Sequence, residues 1–382
     1  RTTISEIHKL EGVPPIRYGG RLLWSNVAAN RDSLPDRSYH APMNSSLMEV
    51  RDLQVTFHTP SGPVNAVNKV SFQLLAGEVL ALVGESGSGK TVTSLALTQL
   101  LEERNTEISG VVTFNGINLL SADKQTLREV RSTEIAYIFQ DPVSSLNPVR
   151  TIGSQLKELL VVNMGLDPSA AHARSVYLLQ RVGIPGPEQQ LRTYPHQLSG
   201  GMCQRVMIAM ALAVNPRALI ADEATSSLDV SIQAQILELL KDVVDEYGMA
   251  VILVTHDLGV VAGTANRVAV MYGGEVVESG DVTDVLSDPQ HPYTKALIAS
   301  APNARTDAQT KLAVIPGSLD SRREFALSRC QFAPRCPEVH NKCWSHWPGL
   351  AEVTQSHRAA CWLVPGHSTD PEPRNLPDGG TG

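Results

Sequence analysis

Cysteine is scarce in this 382-residue chain. There are five, and four of them crowd into one C-terminal stretch as Cys330, Cys336, Cys343 and Cys361, leaving Cys203 alone in the body. Positive charge is not in excess either. The formal net charge is −7, which argues against the basic footprint of a nucleic-acid binder. Apolar runs such as "VLALV" and "AVILV" fall far short of the ~20 residues needed to cross a bilayer. A secretory leader pattern is missing, and no internal repeat is visible. What remains is a globular balance, 42% hydrophobic and 19% charged, long enough for one large domain or two ordinary ones. The expectation is a soluble, cytosolic chain; work at a membrane would need spanning helices from another subunit.

Residues 1–47 are rich in Pro, Asn, Ser and Arg and lack periodicity. They are expected to be an N-terminal extension, fusion remnant or linker, with Met43 or Met48 as a natural start. Order begins at Met48, where "MEVRDLQVTF" alternates like a strand, and "VNKVSFQLL" follows as another. Short apolar runs then recur: "EVLALV", "EIAYIF", "ALIA", "AVILVT" and "RVAVMY". Bounded by turns and separated by helical patterns, they predict buried parallel strands of an α/β fold. "YGGEVVESG" predicts a late hairpin through Gly273 and Gly274. Between 145 and 200 the spacing turns helical, with Gly165 and Gly183 as expected C-caps.

"GESGSGKT", Gly84 to Thr91, follows a strand and opens a helix, and it matches G-x-x-x-x-G-K-[ST]. Its glycines let backbone N–H groups turn toward phosphate oxygens, and the helix adds its positive N-terminal end. Gly84, Glu85, Ser86, Gly87, Ser88, Gly89, Lys90 and Thr91 therefore form a candidate phosphate cradle. Within it, Lys90 can reach the β- and γ-phosphates and Thr91 can ligate Mg²⁺. Open parallel sheets bind ligands at their carboxyl strand ends. Here those ends carry Gln140, the pair Asp222–Glu223, and His256. A buried carboxylate is costly unless a cation or water needs it. Asp222 suits Mg²⁺, Gln140 could complete the Mg²⁺ shell, Glu223 suits a general base, and His256 could contact the γ-phosphate or the attacking water. Phe57 is a candidate for stacking on adenine, or else a core strand residue. "LSGGMCQRVMIAMALAV" places Ser199, Gly200 and Gly201 before an apolar-faced helix, a second anion-binding helix start best explained by a nucleotide held on another subunit.

These motifs, in this order over roughly 48–290, resemble those of the ATP-binding cassette (ABC) ATPases; "LSGG" is similar to their signature and "ADEATSSLD" to the stretch downstream of it. The resemblance implies a P-loop NTPase fold: a RecA-like parallel sheet core, an antiparallel β subdomain and a helical subdomain. Two cassettes would close head-to-tail over two ATP molecules, and Asp229 would lie in the loop running between the sites. "FQDPVSSLNP", "HPYTKAL" and the segment at Cys330 resemble the ATPase subunits of oligopeptide, dipeptide and nickel importers. That implies two membrane permease subunits, an extracytoplasmic substrate-binding protein, and a place on the cytoplasmic face of the membrane. Gln140 to Leu156 would line the groove for a membrane subunit's helix. Met202, where many cassettes carry Gln, points to a heterodimer with a second ATPase. Cys203 and Ala224 depart from the usual Arg and Pro without removing a catalytic group.

The four C-terminal cysteines are separated by five, six and seventeen residues. This is neither the short zinc spacing nor the ferredoxin run, and stable disulfides do not suit a cytosolic chain. Spacing alone gives four soft thiolate ligands, open to zinc with His340, His346 or His357; the resemblance implies a structural [4Fe–4S] cluster. The expected organisation is an extension over 1–47, a nucleotide-binding domain over 48–288, a small Cys-rich C-terminal domain over 289–365 and a disordered tail over 366–382. The reading is an ATPase subunit powering peptide import. The alternatives are a soluble cassette ATPase or a metal-cluster sensor, which co-purifying membrane proteins would separate from it.

Overall fold

The structure, a computed structural model, describes residues 17–18, 21–22, 46–224, 230–301, 315–317 and 329–365. The chain divides into two compact units, 1–42 and 43–382. Among the described residues of the first, Arg17–Tyr18 (β1) pairs antiparallel with Arg21–Leu22 (β2). The tail over 366–382 and Asp229 lie outside the described residues.

In the second unit, Ser46–Thr59 (β3) and Gly62–Leu75 (β4) form a long hairpin joined by Thr106–Phe114 (β6) and Ile117–Asn118 (β7), in the order β4-β3-β6-β7. The main sheet contains Val79–Val83 (β5), Ile135–Ile138 (β8), Ala218–Asp222 (β9), Ala250–Thr255 (β10), Arg267–Tyr272 (β11) and Glu275–Asp281 (β12). Strands β11-β5-β10-β9-β8 run parallel in that order, and β12 returns antiparallel to β11 through Gly273 and Gly274. The apolar runs fall where the sequence places them because β5, β9 and β10 are buried along their whole length.

Strand alternation divides each run between two cores. Val79, Ala81 and Val83 face the core shared with the helical insertion, while Leu80 and Leu82 face the one shared with the antiparallel sheet. In β10, Val251 and Leu253 face the first core and Ala250, Ile252 and Val254 the second. The parallel sheet is thus covered on both faces.

Helix α1 (Lys90–Leu97) follows the phosphate loop directly. The insertion contributes α2 (Ile152–Met164) and α3 (Pro168–Arg181). Helix α2 starts where the Thr151 side chain accepts from the Ser154 N–H and stops at Gly165, whose φ of 65° terminates it. Gly183, at φ 72°, follows α3 in the same way. The signature segment begins α4 (Gly200–Leu212), and α5 spans Val230–Tyr247.

After Leu286 the sequence suggests that the strand–helix rhythm is over. The structure adds two strands: Ala351–Thr354 (β13) pairs with His357–Ala359 (β14), and β14 pairs antiparallel with β12. The cysteine-bearing stretch therefore extends the main sheet. A buried pair fixes this join: His357 Nε2 lies 2.7 Å from Glu278 Oε1. Glu278 also accepts from the backbone N–H groups of Gln290 at 2.6 Å and His291 at 3.0 Å, so both of its carboxylate oxygens are engaged. Helix α6 (Pro292–Ser300) starts just beyond, and Phe332 from the cysteine stretch packs into the helical-side core.

Candidate active site

The phosphate loop leaves β5 and is pressed against its neighbours. A Cβ on Gly84 would sit 2.2 Å from the Met271 carbonyl oxygen of β11. At Gly89, where φ is +102°, a Cβ would sit 2.7 Å from the Ala66 carbonyl oxygen. Both positions therefore admit only glycine without moving backbone. Lys90 is buried, and its Nζ donates to the carbonyls of Gly84 at 2.8 Å and Glu85 at 2.9 Å. Burial lowers its pKa, against the opposing pull of the charges on Glu223, Asp222 and Glu85. Ser88 is wholly buried, with its hydroxyl unpartnered among the described residues.

The polar strand ends converge here. Asp222 is buried at the end of β9; its Oδ1 accepts from Thr91 at 3.1 Å and its Oδ2 from the Tyr137 hydroxyl at 3.0 Å. Burial raises its pKa, and the Tyr137 and Thr91 hydrogen bonds partly offset the rise. Glu223 adopts a φ of 45°, a left-handed conformation uncommon outside glycine. Its N–H donates to the Val254 carbonyl at 2.9 Å. Its carboxylate accepts from Gln140 Nε2 at 2.8 Å and lies 3.3 Å from His256 Nδ1.

A cavity of about 350 Å³ opens over this group, lined by Phe57, Ser86, Gly87, Gly89, Lys90, Thr91, Gln140 and Glu223. Asp222 stands behind Thr91, and His256 stands beside Glu223. Phe57 is part of β3, half-buried and packed on the antiparallel-side core while also lining the cavity. Ser199, Gly200 and Gly201 do not line it. Ser199 and Gly200 are exposed at the start of α4, where Ser199 Oγ accepts from the Met202 N–H at 3.3 Å.

Sequence reasoning missed Tyr137 and Ser94, whose hydroxyls lie 2.8 Å apart and extend the Asp222 network. The signal for Tyr137 was present: it is the sole polar-tipped side chain in the apolar run of β8. Arg335 and Tyr293 were also missed. Glu85, expected in the cradle, turns its carboxylate to Arg335, and its N–H donates to the Tyr293 hydroxyl at 2.8 Å.

Cys330, Cys336, Cys343 and Cys361 line one small cavity together with His291, Phe332 and His340. All four are free thiols, and the Cys330 N–H donates to the Cys343 carbonyl at 3.1 Å. Burial pushes the Cys330 thiol up to about 12 and the Cys361 thiol up to about 11, with neighbouring cysteines adding to both shifts. Among the described residues, no three His, Cys, Asp or Glu side chains are disposed to hold a single metal ion. His357, one of the alternative zinc ligands, is engaged by Glu278.

The family model for the ABC transporter matches residues 67–226, and that for the oligopeptide/dipeptide transporter C-terminal region matches 277–343. The chain is 47% identical over 322 residues to the "Probable peptide ABC transporter ATP-binding protein y4tR" of Sinorhizobium fredii, covering 84% of this chain and 96% of the relative. It is 44% identical over 320 residues to the oligopeptide transport ATP-binding protein AppD of Bacillus subtilis, covering 84% and 97%. Among solved structures, the dimeric post-hydrolysis state of the ATP-binding cassette MJ0796 with ADP and Pi superposes with a TM-score of 0.56 at 27% identity, covering 62% of this chain and 98% of that one. CbiO1 from Clostridium perfringens, part of the ABC transporter complex cbiONQ, gives 0.54 at 28% identity, covering 64% and 91%. With a phosphate loop, paired strand-end carboxylates and a signature helix in one α/β body, the chain belongs to the ABC transporter ATPases, in the branch that carries the oligopeptide/dipeptide transporter C-terminal region.

Proposed function

We propose that this chain hydrolyses ATP to drive peptide uptake, as the ATPase subunit of an importer at the cytoplasmic face of the membrane. The observation that carries the catalytic reading is Glu223, held in a left-handed conformation at a strand end with Gln140 and His256 on its carboxylate. The loop N–H groups and Lys90 bind the phosphates, and Phe57 lies where a base can stack. Glu223 orients a water for in-line attack on the γ-phosphorus. The new P–O bond forms as the bond to the β-phosphate oxygen breaks, and the water proton leaves toward Glu223. His256 steadies that carboxylate and the γ-phosphate. Thr91, Asp222 and Gln140 are the side chains that would hold Mg²⁺, which neutralises charge on the phosphate oxygens. Most of the rate enhancement then comes from positioning and fixed charge.

The expected outcome for Glu223→Gln, in the purified complex, is retained Mg-ATP binding with turnover reduced by about 10²-fold or more. Wild-type turnover would remove Glu223 from the base position.

Ser199, Gly200 and Gly201 serve a nucleotide on a facing ATPase, consistent with their absence from the cavity beside their own phosphate loop. Asp229 belongs to the connection between the two sites. The facing subunit is a second, different ATPase, and two permease subunits with an external substrate-binding protein complete the importer. Exposed Val143 and Val149 on the stretch from Gln140 to Leu156 support its role as the groove for a permease helix. Cys330, Cys336, Cys343 and Cys361 are the residues that would hold a [4Fe–4S] cluster. Around one zinc the sulfurs would sit about 2.3 Å from the ion and crowd together. A cubane instead takes four thiolates at the corners of a larger tetrahedron. What supports this assignment is that all four thiols line the same small cavity. When bound, the cluster cross-links segments that contain little aliphatic core.

A further inference from the structure

Arg335 lies outside the phosphate loop and the strand ends, yet its side chain is only 7% exposed and reaches the loop. Its Nη1 donates to Glu85 Oε2 at 2.7 Å and its Nη2 to Glu85 Oε1 at 3.1 Å, the two-armed fork that arginine makes with a carboxylate. The rest of the guanidinium is also fixed. Nε donates to the Pro316 carbonyl at 2.7 Å, Nη2 reaches the Gly317 carbonyl at 3.3 Å, and Nη1 reaches the Tyr272 hydroxyl at 3.3 Å. One side chain thus joins the cysteine segment, the 315–317 stretch, β11 and the phosphate loop. Lysine, a point charge without the planar fork, cannot reproduce this set.

Glu85 is held from three directions. Its N–H donates to Tyr293, its carbonyl accepts from Lys90, and its carboxylate engages Arg335. A loose carboxylate at the second position of a polyphosphate-binding loop would repel the ligand it serves. Here it is paired, and Glu85 does not line the nucleotide cavity although its neighbours Ser86 and Gly87 do. The backing is rigid: Tyr272, Tyr293 and Phe332 pack with ring centroids 4.7, 5.1 and 5.4 Å apart.

We propose that Arg335 is a positioning residue for nucleotide binding: by holding the Glu85 carboxylate off the cavity, the cysteine segment sets the loop's affinity for ATP. This rests on the reading of Gly84 to Thr91 as the ATP site.

The test uses the full chain, purified with its partner subunits, and measures both Mg-ATP affinity and steady-state hydrolysis. Arg335→Ala is expected to weaken affinity on the order of tenfold while kcat at saturating ATP changes less than about threefold. Adding Glu85→Gln to Arg335→Ala is expected to restore affinity to within about threefold of wild type, because the unpaired charge is gone. A purely structural role for Arg335 would not be rescued by a change at Glu85. Affinity of Arg335→Ala within twofold of wild type, or a double variant as weak as the single one, overturns the proposal. Should Arg335→Ala not fold, Arg335→Lys decides: a several-fold loss supports the proposal, and wild-type affinity overturns it. Lys90→Ala, run in parallel, tests the underlying site separately. Unchanged affinity there would sink the ATP-site reading, whereas its loss beside a silent Arg335→Ala sinks the positioning role alone.

Discussion

Glu223 occupies backbone space that a side-chain-bearing residue rarely visits, a strain of order 1–3 kcal/mol that surrounding contacts must hold in place. Those contacts are the hydrogen bond to Val254, the Gln140 amide and the His256 ring. Beside it, Asp222 is buried and depends on two hydroxyls. Tyr137→Phe removes one of them and leaves part of a buried carboxylate unsatisfied. The nucleotide-free chain is expected to lose about 1–3 kcal/mol of stability, read as a lower urea midpoint. An unchanged midpoint would show that the Tyr137 hydroxyl does not support Asp222. That Lys90, Thr91, Gln140, Asp222, Glu223 and His256 come together was legible in the sequence, because each follows a short apolar run and so stands at the same end of the sheet. The supporting hydroxyls and Arg335 were not. Their roles depend on which strands become neighbours and on a contact spanning 250 positions.

At the scale of elements, periodicity located the parallel strands well because double-sided burial leaves an unmistakable apolar signature. The turn into β12 was legible through Gly273 and Gly274. Strands β13 and β14 escaped notice: each is short, and only alternate residues of β14 are buried, so neither gives an apolar run. Their attachment combines pairing of β14 with β12 and the buried Glu278–His357 pair, which no local pattern announces. That attachment holds Cys361, two residues past β14, within reach of the cavity shared with the other cysteines. Chain purified without oxygen is expected to be brown, with the broad visible absorption of an iron–sulfur cluster and iron and sulfide in equal amounts. A colourless protein containing one zinc per chain would overturn the cluster assignment.

For the molecule as a whole, the signature helix start and the phosphate cavity are separate places on the surface. In the proposed arrangement a single copy presents two half-sites. Hydrolysis per chain is expected to rise with protein concentration for the isolated ATPase, and Mg-ATP is expected to shift sedimentation toward a two-ATPase species when Glu223→Gln blocks turnover. A rate independent of concentration, with no such species, would contradict the shared-site arrangement. The order of strands has a separate consequence for biosynthesis. Strand β5, which carries the phosphate loop, is flanked by β10 and β11, both far downstream in the chain. A ribosome thus delivers the loop early but its supporting neighbours late. In the interval β5 is an apolar ribbon with two open edges, a natural substrate for chaperones. The cavity cannot be complete before that interval ends, because Gly273 and Gly274 of its lining follow β11.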